Sequence, residues 1–206
     1  MTKVLEKVER RLGGKLFLKG DRCVGPKCAV IRRGYPPGVH GKKRKRGASE
    51  YGELLREKQK IRFLYGLDDK DLKRYTQEAS SRPGIFSSNL LGLLERRLDN
   101  VIFRAGFLPA RRAARKAVSD GQVLVNGRRV TIPSYLVAKG DTLKLKDKII
   151  GRGPLIDLET RLKKYEPPVW LELDKNKKEV KIKDYPVTGD LEVDLDPTKV
   201  KEFYSR

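Results

Sequence analysis

Between Ser88 and Val130 the chain reads "SNLLGLLERRLDNVIFRAGFLPARRAARKAVSDGQVLVNGRRV", and no other stretch limits the possible folds so tightly. Wound at about 100° per residue from Arg97, the side chains of Leu90, Leu91, Leu94, Leu98, Val101, Ile102 and Ala105 fall between about 20° and 140°. Arg97, Asn100 and Arg104 fall between about 300° and 360°, so a polar ridge runs beside an apolar stripe. The spacing predicts one helix from Ser88 to a stop at Gly106.

A second helix follows. Pro109 suits its first turn. With Arg111 at zero, Arg112, Arg115 and Lys116 lie within about 140°, and Ala110, Ala113, Ala114, Ala117 and Val118 occupy the opposite arc, about 200° to 340°. Small alanines permit a close helix contact and turn the four cations outward together. Gly121 ends the helix. "QVLVNGRRV" then reads as a hairpin whose Asn126-Gly127 pair supplies the positive φ angles of a type I′ turn. That turn pairs Val125 with Arg128 and Leu124 with Arg129, so the two arginines point to opposite faces. "TLKLK", after the Lys139-Gly140-Asp141 turn, alternates as another strand.

Elsewhere the pattern is looser. Residues 1–46 are rich in Gly, Pro and charge and lack sustained periodicity. They read as an extended arm with turns, preceded by a short helix from Val4 to Leu12. Tyr51, Leu54, Leu55, Ile61, Leu64 and Tyr65 recur at helical spacing up to Gly66. A further helix capped by Asp68 or Asp69 carries Leu72, Tyr75 and Ala79 to "SRPG". The last quarter suggests a helix from Pro154 to Tyr165, strands "VWLELD" and "EVKIKD", and a short helix from Pro197. The expected class is therefore α+β. A basic arm (1–46) and a helical segment (47–90) precede a two-helix module with a small antiparallel sheet (91–150), and a C-terminal segment (151–206) packs back on the helical part.

Charge points to the partner. The formal net charge is +21, beyond what solubility needs, and it is unevenly spread: +12 over 1–46, +1 over 47–90, +8 over 91–150 and zero over 151–206. Two basic blocks separated by a neutral one form the electrostatic footprint expected for a polyanion. No apolar run approaches the ~18 residues of a spanning helix, and nothing resembles a signal peptide. The expectation is a cytoplasmic chain with no membrane partner. Two cysteines, Cys23 and Cys28, are too few for a disulfide framework. His40 has no Ser, Cys or acid at a catalytic spacing.

With these residues in view, "LLERRLDNVIFRAGF", "ARRAARKAVSDGQVLVNGRRV" and "PSYLVAKGD" resemble the S4-type RNA-binding domain. "KLFLKGDRC", "YPPGVHG", "EYGELLREKQKIRFLYG" and "EFYSR" resemble the bacterial uS4 ribosomal-protein family over nearly the whole length. That resemblance implies a structural constituent of the small ribosomal subunit, not an enzyme, that binds a junction in the 5′ domain of the rRNA early in assembly. It implies a place near the mRNA entry channel, with small-subunit rRNA, neighbouring ribosomal proteins and mRNA as partners and no homo-oligomer. Motif matching assigns RNA contacts in the module to Arg97, Asn100, Arg104, Arg111, Arg112, Arg115, Asn126, Arg128 and Ser134, with Lys116 and Arg129 beside them. In the arm and helical segment the candidates are Lys15, Lys19, Arg22, Arg32, Arg33, Tyr35, His40, Lys42, Lys43, Arg44, Lys45, Arg46, Lys58, Lys60 and Arg62. Arg97 and Arg104 have a competing reading as partners of acids such as Asp99 in ion pairs on the helix surface.

One departure concerns metal. Family members often bind zinc through two cysteine pairs. This chain keeps "CVGPKC" but has "KVLEKVERRLGG" where the first pair would stand. Structural zinc takes four ligands, and Cys23, Cys28 and His40 give at most three, so no metal or other cofactor is expected. The alternatives, an rRNA-modifying enzyme carrying an S4-type domain or a ribosome-associated RNA chaperone, are disfavoured. "GRGPLIDLE" lacks the G-x-G-x-x-G spacing, and a chaperone would need only the middle module.

Overall fold

The structure is a computed structural model that describes residues 5–43, 47–151, 153–186 and 195–205. The chain forms two compact units, one built from residues 1–90 and 191–206 and the other from 91–190.

The first unit is helical. Helix α1 (Leu5–Leu12) and the single turns α2 (Asp21–Val24) and α3 (Ala29–Arg32) precede α4 (Glu50–Leu64) and α5 (Asp69–Ser81), and the C-terminal α10 (Pro197–Ser205) completes it. The expectation of an extended arm needs correction here. Residues 5–32 fold around the buried Leu16, Leu18, Cys23 and Cys28, held by turns such as Cys23 N–H to the Gly20 carbonyl at 2.7 Å. Helix α1 is the one expected up to Leu12, whereas α2 and α3 are single turns, too short for a period to show in the sequence. The expected Val4 start lies outside the described residues. Ser49 caps α4, its hydroxyl accepting from the Gly52 amide at 3.2 Å, which satisfies a donor that the first turn leaves open.

Lys58 was expected at the RNA. Instead it is 5% exposed. Its ammonium pairs with Asp69 and lies 4.5 Å and 5.4 Å from the ring centroids of Phe203 and Tyr204 on α10. The Tyr204 hydroxyl donates to Asp69 Oδ1 at 3.4 Å. A cation over two aromatic faces and a carboxylate beside it fasten α10 to α4 and α5.

The second unit contains the end of α6 (Phe86–Glu95), then α7 (Leu98–Arg104), α8 (Arg111–Ser119), β1 (Val123–Val125), β2 (Arg128–Val130), β3 (Thr142–Leu145), α9 (Leu158–Lys164), β4 (Leu171–Asp174) and β5 (Glu179–Ile182). Every strand pair is antiparallel, in the order β2-β1-β3-β5-β4. The hairpin has the expected register, Val125 opposite Arg128 and Leu124 opposite Arg129, with φ of 50° at Asn126 and 78° at Gly127. Leu98, Val101, Ile102, Ala114, Ala117, Val118, Val123, Leu143 and Val180 share one core.

Two features differ from expectation. The helix predicted from Ser88 to Gly106 is broken at Arg96 and Arg97, because a distant strand-like segment takes the backbone there. The Val137 amide donates to the Arg96 carbonyl (3.0 Å), and the Leu98 and Asp99 amides donate to Tyr135 and Pro133 carbonyls (2.8 and 3.2 Å). The C-terminal segment is also divided. β4 and β5 extend the sheet of the second unit through β3–β5 pairing, and within that segment α10 packs on the helical part. Gly106, φ 74°, closes α7; a Cβ there would lie 2.6 Å from the Tyr165 ring, whose hydroxyl donates to the Arg104 carbonyl at 2.8 Å.

The fastening of α10 has a pH signature. The Lys58 ammonium holds the Asp69 carboxyl below its usual range, so this contribution is complete above about pH 4 and is lost as pH falls. Burial, then the charge of Asp69, pushes the Tyr204 hydroxyl up, so its contribution is complete below about pH 10 and is lost as pH rises. Thermal melts should show a plateau between these limits, and Tyr204→Phe should remove part of the alkaline loss while leaving the acid limb.

Candidate RNA interface

A buried polar network stands at the α6–α7 junction. Glu95 is 3% exposed, Arg97 1%, Asp99 4%, Asn100 2% and Arg104 2%. The Glu95 carboxylate accepts from Asn100 Nδ2 at 2.7 Å and from Arg104 Nε and Nη2 at 2.9 and 3.3 Å. Asn100 Oδ1 then accepts from Arg111 Nε at 2.7 Å, carrying the network onto α8. Asp99 accepts from Arg97 through two bonds of 3.1 and 2.8 Å, and Arg115 Nη1 lies 3.9 Å from the same carboxylate. Burying an ion costs several kcal/mol unless a partner and hydrogen bonds offset it, and here each carboxylate has both.

This corrects three assignments. Arg97, Asn100 and Arg104 do not form a surface ridge for RNA, and their ion pairs are not surface pairs either. They are internal, and because α6 ends at Glu95 and α7 starts anew at Leu98 the angular positions of one continuous helix do not apply to them. The alanine face of α8 is buried as expected, through Ala114, Ala117 and Val118. Its four cations, however, divide. Arg111 bonds Asn100 and stacks 4.3 Å from the Phe103 ring centroid, and Arg115 leans to Asp99, whereas Arg112 and Lys116 are fully outward. Glu95, the residue that organises the junction, escaped sequence reasoning. The one available signal was a lone acid on the most apolar helix of a strongly basic region.

At the hairpin Arg128 and Arg129 are exposed. Arg129 packs over Gly121, at the C-terminal end of α8, where a cation complements the helix dipole. Asn126 serves the fold: its amide donates to Asp141 Oδ1 at 2.8 Å and accepts from the Thr142 amide at 2.9 Å, tying the turn to β3. Ser134 is half-buried in the segment that pairs with the α6–α7 junction.

In the first unit Lys15, Lys19, Arg22, Arg32, Arg33, His40, Lys42 and Lys43 are exposed. Lys19 and Arg22 both reach Glu6 at 3.1 Å. Tyr35 is half-buried, its ring centroid 5.0 Å from the Arg10 guanidinium and 5.4 Å from the Lys42 ammonium. Lys60 pairs with Glu57 along α4, and Arg62 donates to the Leu67 carbonyl and Gln59. Arg44, Lys45 and Arg46 lie outside the described residues.

The cysteines do not fit a zinc site. Glu9, 1% exposed, accepts from the Leu16 and Leu18 amides at 3.1 and 3.2 Å, and the Cys23 thiol lies 3.9 Å from both carboxylate oxygens. Burial pushes the Cys23 thiol up, which favours the protonated donor over the thiolate that a metal requires. Among the described residues no three His, Cys, Asp or Glu side chains are placed to hold a metal.

Comparison with known proteins supplies the family. Residues 2–95 match the ribosomal protein S4/S9 N-terminal domain, and residues 96–143 match the S4 domain. The chain belongs to the uS4 family. The small ribosomal subunit protein uS4 of Pelotomaculum thermopropionicum is 46% identical to it, that of Thermus thermophilus 45% and that of Halothermothrix orenii 44%, each over 96% of this chain and 94% of the relative.

Two outcomes follow. Glu95→Gln should leave a buried cation facing a neutral amide and cost about 3 to 5 kcal/mol of stability, measurable by urea unfolding. Elemental analysis of purified protein should find no stoichiometric zinc; one zinc per chain, lost in the Cys23→Ser, Cys28→Ser double variant, would contradict the reading of the Glu9 carboxylate as the organising group.

Proposed function

We propose that this chain is a structural, non-catalytic constituent of the small ribosomal subunit that binds rRNA with cations held outward by a carboxylate-anchored scaffold. The observation that carries the reading is the division of charge in α8. Arg111 and Arg115 face the buried network, while Arg112 and Lys116 face solvent, so one helix both docks and presents. Family membership supports the ribosomal location in the bacterial cytoplasm.

The finer reading rests on the resemblance together with the charge layout. The protein binds a junction in the 5′ domain of small-subunit rRNA early in assembly, lies near the mRNA entry channel and contributes to decoding fidelity beside a neighbouring ribosomal protein. Electrostatics supplies affinity, and the shape of the RNA supplies specificity. Side chains cannot read the deep major groove of A-form RNA, so contacts go to phosphates, 2′-hydroxyls and splayed bases.

Arg112→Gln with Lys116→Gln should weaken binding to small-subunit rRNA by about tenfold or more and flatten its salt dependence by about 1.4 to 1.8 log units per log unit of salt, since each lost phosphate contact removes about 0.7 to 0.9. Thermal stability should change little, because Gln is nearly as good a helix former as Arg or Lys. Arg111→Gln with Arg115→Gln should lower stability as well as binding. Wild-type rRNA affinity in the first variant would exclude α8 as a recognition face.

A further inference from the structure

We propose that Asn126-Gly127 is a site of spontaneous deamidation, held in check by the Asp141 carboxylate that clamps the Asn126 side chain. The pair is the one Asn-Gly step in the chain, and the reaction needs only water and an accessible glycine amide. The Gly127 nitrogen loses its proton to solvent and bonds to Cγ of Asn126. Ammonia leaves from that carbon, carrying a proton from solvent, and a succinimide closes. Water then opens the ring at either carbonyl to give aspartate or isoaspartate.

The nucleophile is open. Gly127 is exposed, a Cβ placed on it would meet nothing within 4 Å, and its amide has no hydrogen-bond acceptor among the described residues. The Asp120-Gly121 step just upstream is the opposite case. There the glycine amide donates to the Val118 carbonyl at 2.8 Å, the glycine is buried and the Arg129 side chain lies over it. Of these neighbouring steps with succinimide chemistry, only Asn126-Gly127 presents its nitrogen.

The electrophile is restrained. Asn126 Nδ2 donates to Asp141 Oδ1 at 2.8 Å and Asn126 Oδ1 accepts from the Thr142 amide at 2.9 Å, so the carboxamide is held at both ends. Asp141 is itself fixed, since its Oδ2 accepts from the Ala138 amide at 2.8 Å. For Cγ to turn onto the Gly127 nitrogen the bonds to Asn126 must break, and the one to a carboxylate is of the stronger, charge-assisted kind. Reaction therefore awaits local release of the turn from β3. Afterwards the turn does not close as before, because the Nδ2 donor has become a carboxylate oxygen that faces Asp141 as a like charge. Isoaspartate also adds a methylene to the main chain of a two-residue turn whose register pairs Val125 with Arg128. The new negative charge beside Arg128 lowers the attraction of the hairpin for phosphate.

Peptide mapping by tandem mass spectrometry, with enzymatic methyl labelling of isoaspartate, follows the reaction in the full-length protein held at mildly alkaline pH. The wild type should accumulate aspartate and isoaspartate at position 126, more slowly than a free peptide of residues 122–130. Asp141→Ala should raise the rate by about tenfold or more, the factor to which a lost hydrogen bond to a charged group corresponds. Leu158→Ala, a core variant of the same unit that leaves the clamp in place, should not raise it, with thermal melts confirming that both variants are folded. Equal rates in the wild type and the free peptide would overturn the proposal without recourse to any variant, since the clamp would then restrain nothing. Equal acceleration by Leu158→Ala and Asp141→Ala would also overturn it, assigning the reaction to global unfolding. Absence of conversion at position 126 in both the wild type and Asp141→Ala would show that the turn is not a modification site.

Discussion

The carboxylate of Glu95, enclosed beneath α7 and α8, is the constraint on which the second unit depends. It accepts from Asn100 and twice from Arg104, and Asn100 passes the connection to Arg111. A buried carboxylate of this kind tolerates few arrangements of its neighbours, because an unmatched charge in the interior is far costlier than an apolar residue there. The network therefore specifies how α7 meets α8, which packing of small alanines alone would leave free to slide. Specification of α8 in turn decides which of its cations face solvent.

Glu9 plays a comparable part in the first unit. One carboxylate gathers the amides of Leu16 and Leu18 beside the thiol of Cys23, doing with hydrogen bonds what a metal would do with coordination. In a chain of net charge +21 the few buried acids are thus organising centres. The exposed cations repel one another, so the same surplus that opposes compactness in the free chain favours a polyanionic partner.

What the sequence made legible was local. The Asn126-Gly127 turn, the register of Arg128 and Arg129, the alanine face of α8 and the α4 and α5 helices each follow from a short window of residues, and each was recovered. The break at Arg96 and Arg97 was not legible, because it is imposed by residues 133–137, some forty positions away. Periodicity alone continued the helix and so placed Arg97, Asn100 and Arg104 outside. Lys58 looked like a surface cation of α4 because its aromatic and acidic partners lie on α10 and at the start of α5. β4 and β5 were seen as strands, but the pairing of β5 with β3 is a long-range choice that charge neutrality could not reveal. Helix α1 was read up to its end at Leu12, but the single turns α2 and α3 were missed because one turn leaves no period to read.

The central claim is that buried arginines build the scaffold while exposed ones hold RNA. Ultraviolet cross-linking of the protein in small subunits, with the attached peptides identified by mass spectrometry, tests it most directly. Cross-links should fall on the outward face of α8 around Arg112 and Lys116 and on the hairpin around Arg128 and Arg129. Cross-links concentrated instead at Arg97, Asn100 and Arg104, with α8 and the hairpin unmarked, would contradict the account.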